Sequence, residues 1–173
     1  MVAEDASTFS QLIYQHERLV YRACYRVLQE GPAAEDAAQE AFVSAWLNRA
    51  KRRTPFVPWL LKIATNKCRD ELRRRSRRST ASLDQAYRAG FAGPAETWTP
   101  ETWTLNMEAA DDLARALATL PTTQRIAIVL ADIEGLAYRD IALATNTNVG
   151  TVKSRVSRGR TLLRLALFDA KAF

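Results

Sequence analysis

This 173-residue sequence predicts an all-α architecture of two small helical domains, an N-terminal helical bundle and a C-terminal helix-turn-helix domain, joined by a flexible acidic linker. Three observations predict it. Apolar residues recur at helical steps along both halves, and no β-alternation of useful length interrupts them. The charge runs basic, acidic, basic: Lys62, Lys67, Arg69, Arg73, Arg74, Arg75, Arg77 and Arg78 come first, then Asp84, Glu96, Glu101, Glu108, Asp111 and Asp112, then Lys153, Arg155, Arg158, Arg160 and Arg164. Between the basic blocks, Ser79 to Thr104 collects Gly90, Gly93, Pro94, Pro100 and many Ser and Thr without sustained helical periodicity. A loop of that length is unusual inside one compact domain, so it reads as a tether. The expected domains span residues 8–78 and 108–167, with the linker over 79–107.

The elements follow in order. Phe9, Leu12, Ile13, Leu19, Val20, Ala23, Cys24, Val27 and Leu28 mark a first amphipathic helix, closed by Gly31-Pro32. Ala37, Ala38, Ala41, Phe42, Ala45 and Trp46 form a second apolar stripe, with Glu35, Asp36, Gln39 and Glu40 off it. Arg49 to Pro55 is a short basic loop. A third helix is expected to begin near Pro58, because proline suits the first helical position, and to run through Trp59, Leu60, Leu61, Ala64, Cys68 and Leu72. Trp46 and Trp59 read first as core residues. Trp98 and Trp103, unexpected in an idle linker, read as packing on a neighbouring domain, with partner contact as the other reading. In the last third, Leu120-Pro121 ends a helix and Thr122 or Thr123 is expected to cap the next, which continues to about Glu134. Gly135 suits a helix C-cap. A short helix follows from Tyr138 to Ala144, then the turn Thr145–Asn148, then a basic helix from Val149. Short helix, tight turn and longer basic helix make a helix-turn-helix pattern.

Composition excludes several classes of function. No apolar run approaches the ~18 residues of a membrane span, and the first seven residues lack a basic, apolar leader. Two cysteines, Cys24 and Cys68, make neither a disulfide framework nor a four-ligand zinc site. Both fall on apolar helix faces and read as core. One histidine, His16, argues against a His-based metal site or catalytic triad. No Gly-rich phosphate loop, βα pattern or metal-spaced carboxylate pair is visible, so no catalytic residue, metal or cofactor is expected. The formal charge of +6 and isoelectric point near 9.7 lean toward a polyanionic partner.

Projected at 100° per residue, the last helix separates into two faces. Val149, Val152, Val156, Gly159 and Leu163 share one. Gly150, Lys153, Ser154, Ser157, Arg158 and Thr161 share the other, which is cationic and small enough for a major groove. Lys and Arg read guanine edges or neutralise phosphates, and Ser and Thr reach bases or backbone. Gly150 in the first turn lets a backbone amide approach a phosphate. On the third helix, Lys62, Asn66, Arg69, Asp70, Arg73 and Arg77 share a face with Trp59 at its edge. Its cations can track phosphates, while Asn66 and Asp70 can hydrogen-bond an unstacked base.

Leu120-Pro121, Gly135-Leu136, Tyr138 to Ala142 and Val149 to Arg160 resemble the promoter-binding C-terminal domain of bacterial sigma factors of the sigma-70 family, specifically the small extracytoplasmic-function (ECF) group. Ala34 to Phe42 is similar to the helix with which that family binds the polymerase clamp. Trp59 to Asn66, followed by Asp70 and the arginine cluster, resembles its −10 region. The resemblance implies a cytoplasmic transcription initiation factor, not an enzyme, that binds core RNA polymerase as one copy per holoenzyme. It implies that Asp36, Gln39 and Glu40 meet the basic clamp coiled coil, that the C-terminal domain sits at the polymerase flap, and that the acidic linker threads the polymerase channel. It implies −35 contacts by Gly150, Thr151, Lys153, Ser154, Ser157, Arg158 and Thr161. For the −10 element it implies Phe56, Trp59, Lys62, Asn66, Arg69, Asp70, Arg73 and Arg77, with the loop Arg49 to Phe56 capturing a flipped base. An anti-sigma protein is a further implied partner.

The sequence departs from the family pattern at Ala137, where a capping Ser or Thr is usual, at Asn146 in place of Gly, at Asn148 where Pro is common, at Ser157, and in the short basic loop 49–55. The rival class is a helix-turn-helix repressor or activator that binds duplex DNA as a dimer. It explains the C-terminal half but leaves the acidic second helix without a role.

Overall fold

The structure, a computed structural model, describes residues 6–81 and 100–170. The helices are α1 (Ala6–Leu28), α2 (Gly31–Asn48), α3 (Phe56–Ala81), α4 (Pro100–Thr119), α5 (Thr122–Ile128), α6 (Tyr138–Thr145) and α7 (Val149–Ala170). A 3₁₀ turn, Arg49–Lys51, links α2 to α3, and a π-helical turn, Val129–Ile133, continues α5. No strand occurs among the described residues.

The first three helices pack as a bundle. The alanines Ala34, Ala37, Ala38, Ala41 and Ala45 form the buried stripe of α2. Such small side chains let α1 and α3 approach α2 closely, so larger residues carry most of the apolar burial. Phe9, Val20 and Val27 of α1 and Leu60 and Leu61 of α3 are fully buried. Gln29, at φ 58°, ends α1 in the left-handed region, and Pro32 lies in the first turn of α2. Cys24 and Cys68 are buried side by side as free thiols. Their mutual hydrogen bond and their burial push the Cys24 pKa well up, so the sulfur stays protonated and inert. Glu71 ties the far end of α3 together. Burial pushes its pKa up, but hydrogen bonds from Arg74 and Arg75 outweigh this and hold it below the ordinary value. Arg75 also pairs with Glu30 at 2.6 Å, bracing the α1–α2 corner.

The second domain is built around α5 and α7. Ile126, Ile128, Val129 and Leu130 present an unbroken buried run to Val152 and Val156. Gly159 marks their closest approach: a Cβ there would stand 2.6 Å from Ile128 Cγ1 and 3.1 Å from its Cδ1. Alanine at position 159 therefore pits ~1 kcal/mol of helix propensity against an overpacking cost of ~1–3 kcal/mol. Gly159→Ala is expected to lower the melting temperature by about 2–4 °C, corresponding to a net loss near 1 kcal/mol. A melting temperature that rises would show that α5 and α7 can part without cost.

Several boundaries differ from the expectations. Neither Thr122 nor Thr123 caps α5: Pro121 occupies the N-cap, and its carbonyl accepts from Gln124 N and Arg125 N. Helix α3 begins at Phe56, earlier than Pro58, and runs to Ala81. Helix α4 begins at Pro100, so helix enters the expected linker from both ends. Pro100 is a first helical residue with no amide hydrogen to leave unpaired. Residues 82–99, with Trp98 and most of the linker's predicted path, lie outside the described residues. Val149, expected on the buried face of α7, is 37 % exposed as the first residue of that helix.

The two domains touch. Helix α6 lies along α3, and the α1 C-terminus meets α5 and the π turn. The Arg125 guanidinium, buried in this seam, donates to Val27 O of the first domain at 2.7 Å, and within its own domain to Ala118 O at 2.7 Å and Leu120 O at 3.1 Å. Arg22 pairs with Glu134 at 2.7 Å across the same seam.

Candidate nucleic-acid interface

The turn before α7 positions its outer face. Asn146 adopts the left-handed conformation (φ 52°, ψ 51°) that ends α6, with its amide turned back to Ala142 and Leu143 carbonyls. Asparagine tolerates this conformation, so it replaces the customary glycine at little cost. Asn148 then caps α7: its Oδ1 accepts from Thr151 N at 2.7 Å, and its carbonyl from Val152 N at 3.1 Å. Gly150, Lys153, Ser157, Arg158 and Thr161 are exposed, while Thr151 and Ser154 are half-buried. Arg160 is committed elsewhere. It grips Asp132 with two hydrogen bonds at 2.9 and 2.7 Å, which raise its pKa and pin α7 to the π turn.

Helix α3 carries the second cationic face. Asn66, Asp70, Arg73 and Arg77 are exposed, and Trp59, Lys62 and Arg69 are half-buried. Arg69 donates to Asn66 Oδ1 at 3.1 Å, and Arg73 lies 3.6 Å from Asp70. Burial, then the neighbouring charges of Arg155 and Arg73, push the Arg69 pKa down. Phe56 is placed differently from its expected −10 role. It is 9 % exposed and walled in by Phe9, His16 and Trp59, with the Arg52 guanidinium over its ring. Its ring belongs to the core because α3 starts at this residue and turns it inward. Trp46 does the opposite of its core expectation. It is 36 % exposed, edge-on to Phe9 and covered by Arg49 at 4.0 Å.

On α2, Asp36, Gln39 and Glu40 are all exposed, as the helical projection requires. Glu40 pairs with Lys67 at 3.0 Å, and Arg74 lies close enough to feel both Asp36 and Glu40. Val43 and Leu47 extend the same face and are 60 % and 71 % exposed. Among the described residues no group of His, Cys, Asp and Glu could hold a metal ion, and no helix is long and apolar enough to cross a membrane.

Residues 12–78 match the family Sigma-70 region 2, and residues 110–163 match Sigma-70, region 4. The chain is 32% identical over 171 residues to the ECF RNA polymerase sigma factor SigW of Bacillus subtilis, covering 95% of this chain and 91% of that protein.

The chain belongs to the ECF sigma factors.

It is also 37% identical to the ECF RNA polymerase sigma factor SigE of Mycolicibacterium smegmatis, over 91% of this chain, and spans 60% of the length of that relative. In three dimensions it resembles the sigma factor RpoE of Bartonella quintana, solved with the anti-sigma factor NepR: the TM-score is 0.76 at 26% identity, covering 94% of this chain and 98% of that one. CnrH, solved with the cytosolic domain of CnrY, gives a TM-score of 0.70 at 27% identity over 96% and 90% of the two chains.

Sequence reading of this sigma factor missed three features. Asn148 was visible as a departure from the family pattern, yet an Asn directly before the first residue of an apolar-periodic helix is itself an N-cap signature. The charge of Arg155 on α7 reaches Arg69 on α3, a coupling no sequence pattern encodes. Val43 and Leu47 follow Asp36 and Glu40 at steps of three and four, so the projection that found the acids could have found them too. Asn148→Ala is expected to fray the first turn of α7, at a cost of ~1 kcal/mol, and to weaken −35 duplex binding several-fold. Asn148→Asp, which keeps the capping oxygen, should preserve the helix. A titration of promoter duplex with both variants checks this, and equal weakening in the two would point to direct DNA contact instead of capping.

Proposed function

We propose that this sigma factor binds core RNA polymerase and directs it to a narrow set of promoters. The outer face of α7 reads the −35 duplex through Gly150, Thr151, Lys153, Ser154, Ser157, Arg158 and Thr161. Helix α3, with Trp59, Lys62, Asn66, Arg69, Asp70, Arg73 and Arg77, holds the melted −10 strand. Asp36, Gln39 and Glu40 meet the basic clamp coiled coil, the second domain meets the flap, and the acidic linker follows the polymerase channel. Bond chemistry stays with the polymerase, and the chain works in the cytoplasm as one copy per holoenzyme. An anti-sigma factor is the expected regulator, in line with the complexes of RpoE and CnrH.

One observation supports this most: two separate cationic faces and one exposed acidic face lie on a single chain. Cations on α3 and α7 suit phosphates. Carboxylates on α2 repel DNA and suit a basic protein surface. A simple duplex-binding dimer has use for the first two and none for the third.

The test is reconstitution. Purified protein mixed with sigma-free core polymerase should co-elute as one copy per core and initiate at a few discrete start sites in a genomic promoter library. Lys153→Ala and Arg158→Ala should each weaken promoter use by about 5- to 100-fold, as expected for loss of a good base contact worth ~1–3 kcal/mol, with co-elution unchanged. A homodimer that binds duplex DNA but ignores core polymerase would move the chain to the repressor or activator class.

A further inference from the structure

Two clefts between helices differ in how their charges are answered. In a cleft of about 810 Å³ between α2 and α3, Asp36, Glu40 and Glu71 are mixed with Lys67, Arg74 and Arg78, so it neutralises itself. A groove of about 500 Å³ has Lys51, Arg53, Trp59 and Lys62 on one wall and Leu143 and Asn146 on the other, and no carboxylate lines it. Among the described residues, Lys51, Arg53 and Lys62 make no ion pair. Arg53 donates to the Arg52 carbonyl at 3.4 Å, a long contact that leaves most of its fork available. Three unanswered cations around one groove call for an anion.

The rest of the lining says which kind of anion. Trp59 is half-buried, and part of its indole borders the groove. Leu143, half-buried on the other wall, supplies a second apolar surface. An indole and an aliphatic side chain across one groove make a slot for a flat ring. Asn146 adds an amide, donor and acceptor together, which suits the edge of a base. Inorganic polyphosphate would leave Trp59 unused, and a neutral aromatic would leave the three cations unused. A nucleotide uses both. The volume lies in the ~300–1,000 Å³ range of small-ligand sites. A DNA strand fits less well, because Arg73 and Arg77 of its proposed track on α3 do not line the groove.

We propose that this groove is a site for a free nucleotide. The base lies between Trp59 and Leu143, Asn146 meets its edge, and Lys51, Arg53 and Lys62 hold the phosphates. One wall belongs to each domain, so the site is complete only with both. Nucleotide binding here does not depend on the assignment of α3 to the −10 strand.

Equilibrium dialysis of the full chain against radiolabelled ATP, in buffer without divalent cations, tests this. Saturable binding of one ATP per chain is expected, with adenosine and inorganic tripolyphosphate each at least about tenfold weaker as competitors. Lys51→Gln should weaken ATP about tenfold, the loss of one charge-assisted hydrogen bond. Lys51 is exposed, so its replacement leaves the fold intact. Trp59→Leu should weaken ATP about tenfold through lost stacking and leave tripolyphosphate unchanged, which a misfolded variant would not do. Leu143→Glu should abolish ATP binding, and Leu143→Met should keep it. Arg78→Gln, which removes a cation from the other cleft, should change nothing. No saturable binding would overturn the proposal. So would tripolyphosphate that competes as well as ATP, or an Arg78→Gln loss equal to that of Lys51→Gln, since either means attraction by net charge alone. Undiminished ATP binding by Leu143→Glu would also overturn it, because the base would then lie on α3 by itself, as a DNA strand's would.

Discussion

Arg125→Met is expected to lower the melting temperature by about 6–12 °C, corresponding to ~3 kcal/mol for a chain of this size. Arg125 is 9% exposed, and burial pushes its pKa down, so its charge is held in an unfavourable place. Removing that charge brings some relief. Against this stand three carbonyls, of Val27, Ala118 and Leu120, that the guanidinium serves together. Each buried acceptor left without a donor costs ~1–3 kcal/mol, so the loss outweighs the relief. Two of the carbonyls belong to the α4–α5 corner and the third to the other domain. The effect therefore divides into a local part and a seam part. Arg125→Lys should recover little, since one ammonium cannot reach three acceptors that a planar fork bridges. Thermal melts of both variants decide it. A drop below about 2 °C would mean that water replaces the guanidinium at these carbonyls.

Reversing the acidic face, Asp36→Lys with Glu40→Lys, is expected to weaken polymerase binding about 100-fold or more, because like charges replace close opposite pairs at a protein interface. The face is free for a partner despite its intramolecular pairs. Glu40–Lys67 joins side chains that are 60% and 33% exposed, and exposed pairs of this kind contribute at most ~1 kcal/mol. The new lysines would also stand near Lys67 and Arg74, so circular dichroism should accompany the assay. Each reversal adds two positive charges, which strengthen non-specific duplex binding. Loss of co-elution with core polymerase, together with undiminished duplex binding, would place these residues at the polymerase and not at DNA. Undiminished co-elution would remove the α2 face from the proposed interface.

Much of the fold was legible in the sequence because it depends on local periodicity. The buried alanine stripe of α2, the left-handed Asn146 and the start of α7 at Val149 all follow from short-range patterns. Gly135, at φ +70°, stands where a C-cap glycine belongs. Which candidate site residues face outward was legible to the same extent. Helical projection puts Asp36, Gln39 and Glu40 outward, and the structure keeps them there. It fails where a neighbour from elsewhere in the chain decides the outcome. Phe56 lies in a basic, loop-like stretch, yet Phe9 and His16 of α1 enclose it. Trp46 sits on an apolar stripe, yet the alanines around it fill the core and leave its ring partly outside. Arg125 looks like one more surface cation until α1 brings the Val27 carbonyl to it.

By itself the sequence determined the helical class, the two matched regions and the residue types on each outward face. These properties depend on side-chain spacing along one helix, and spacing is written in the chain. Only the tertiary structure decided which cations are free and which are committed. Arg160 is spent on Asp132, Arg22 on Glu134 and Arg125 on backbone carbonyls, whereas Lys153 and Arg158 remain exposed. Tertiary packing also decided that the −10 face and the recognition turn confront each other across one groove. Such pairings join residues far apart in sequence. They arise when burial of apolar surface brings helices together, and only then do distant charges meet at hydrogen-bonding distance.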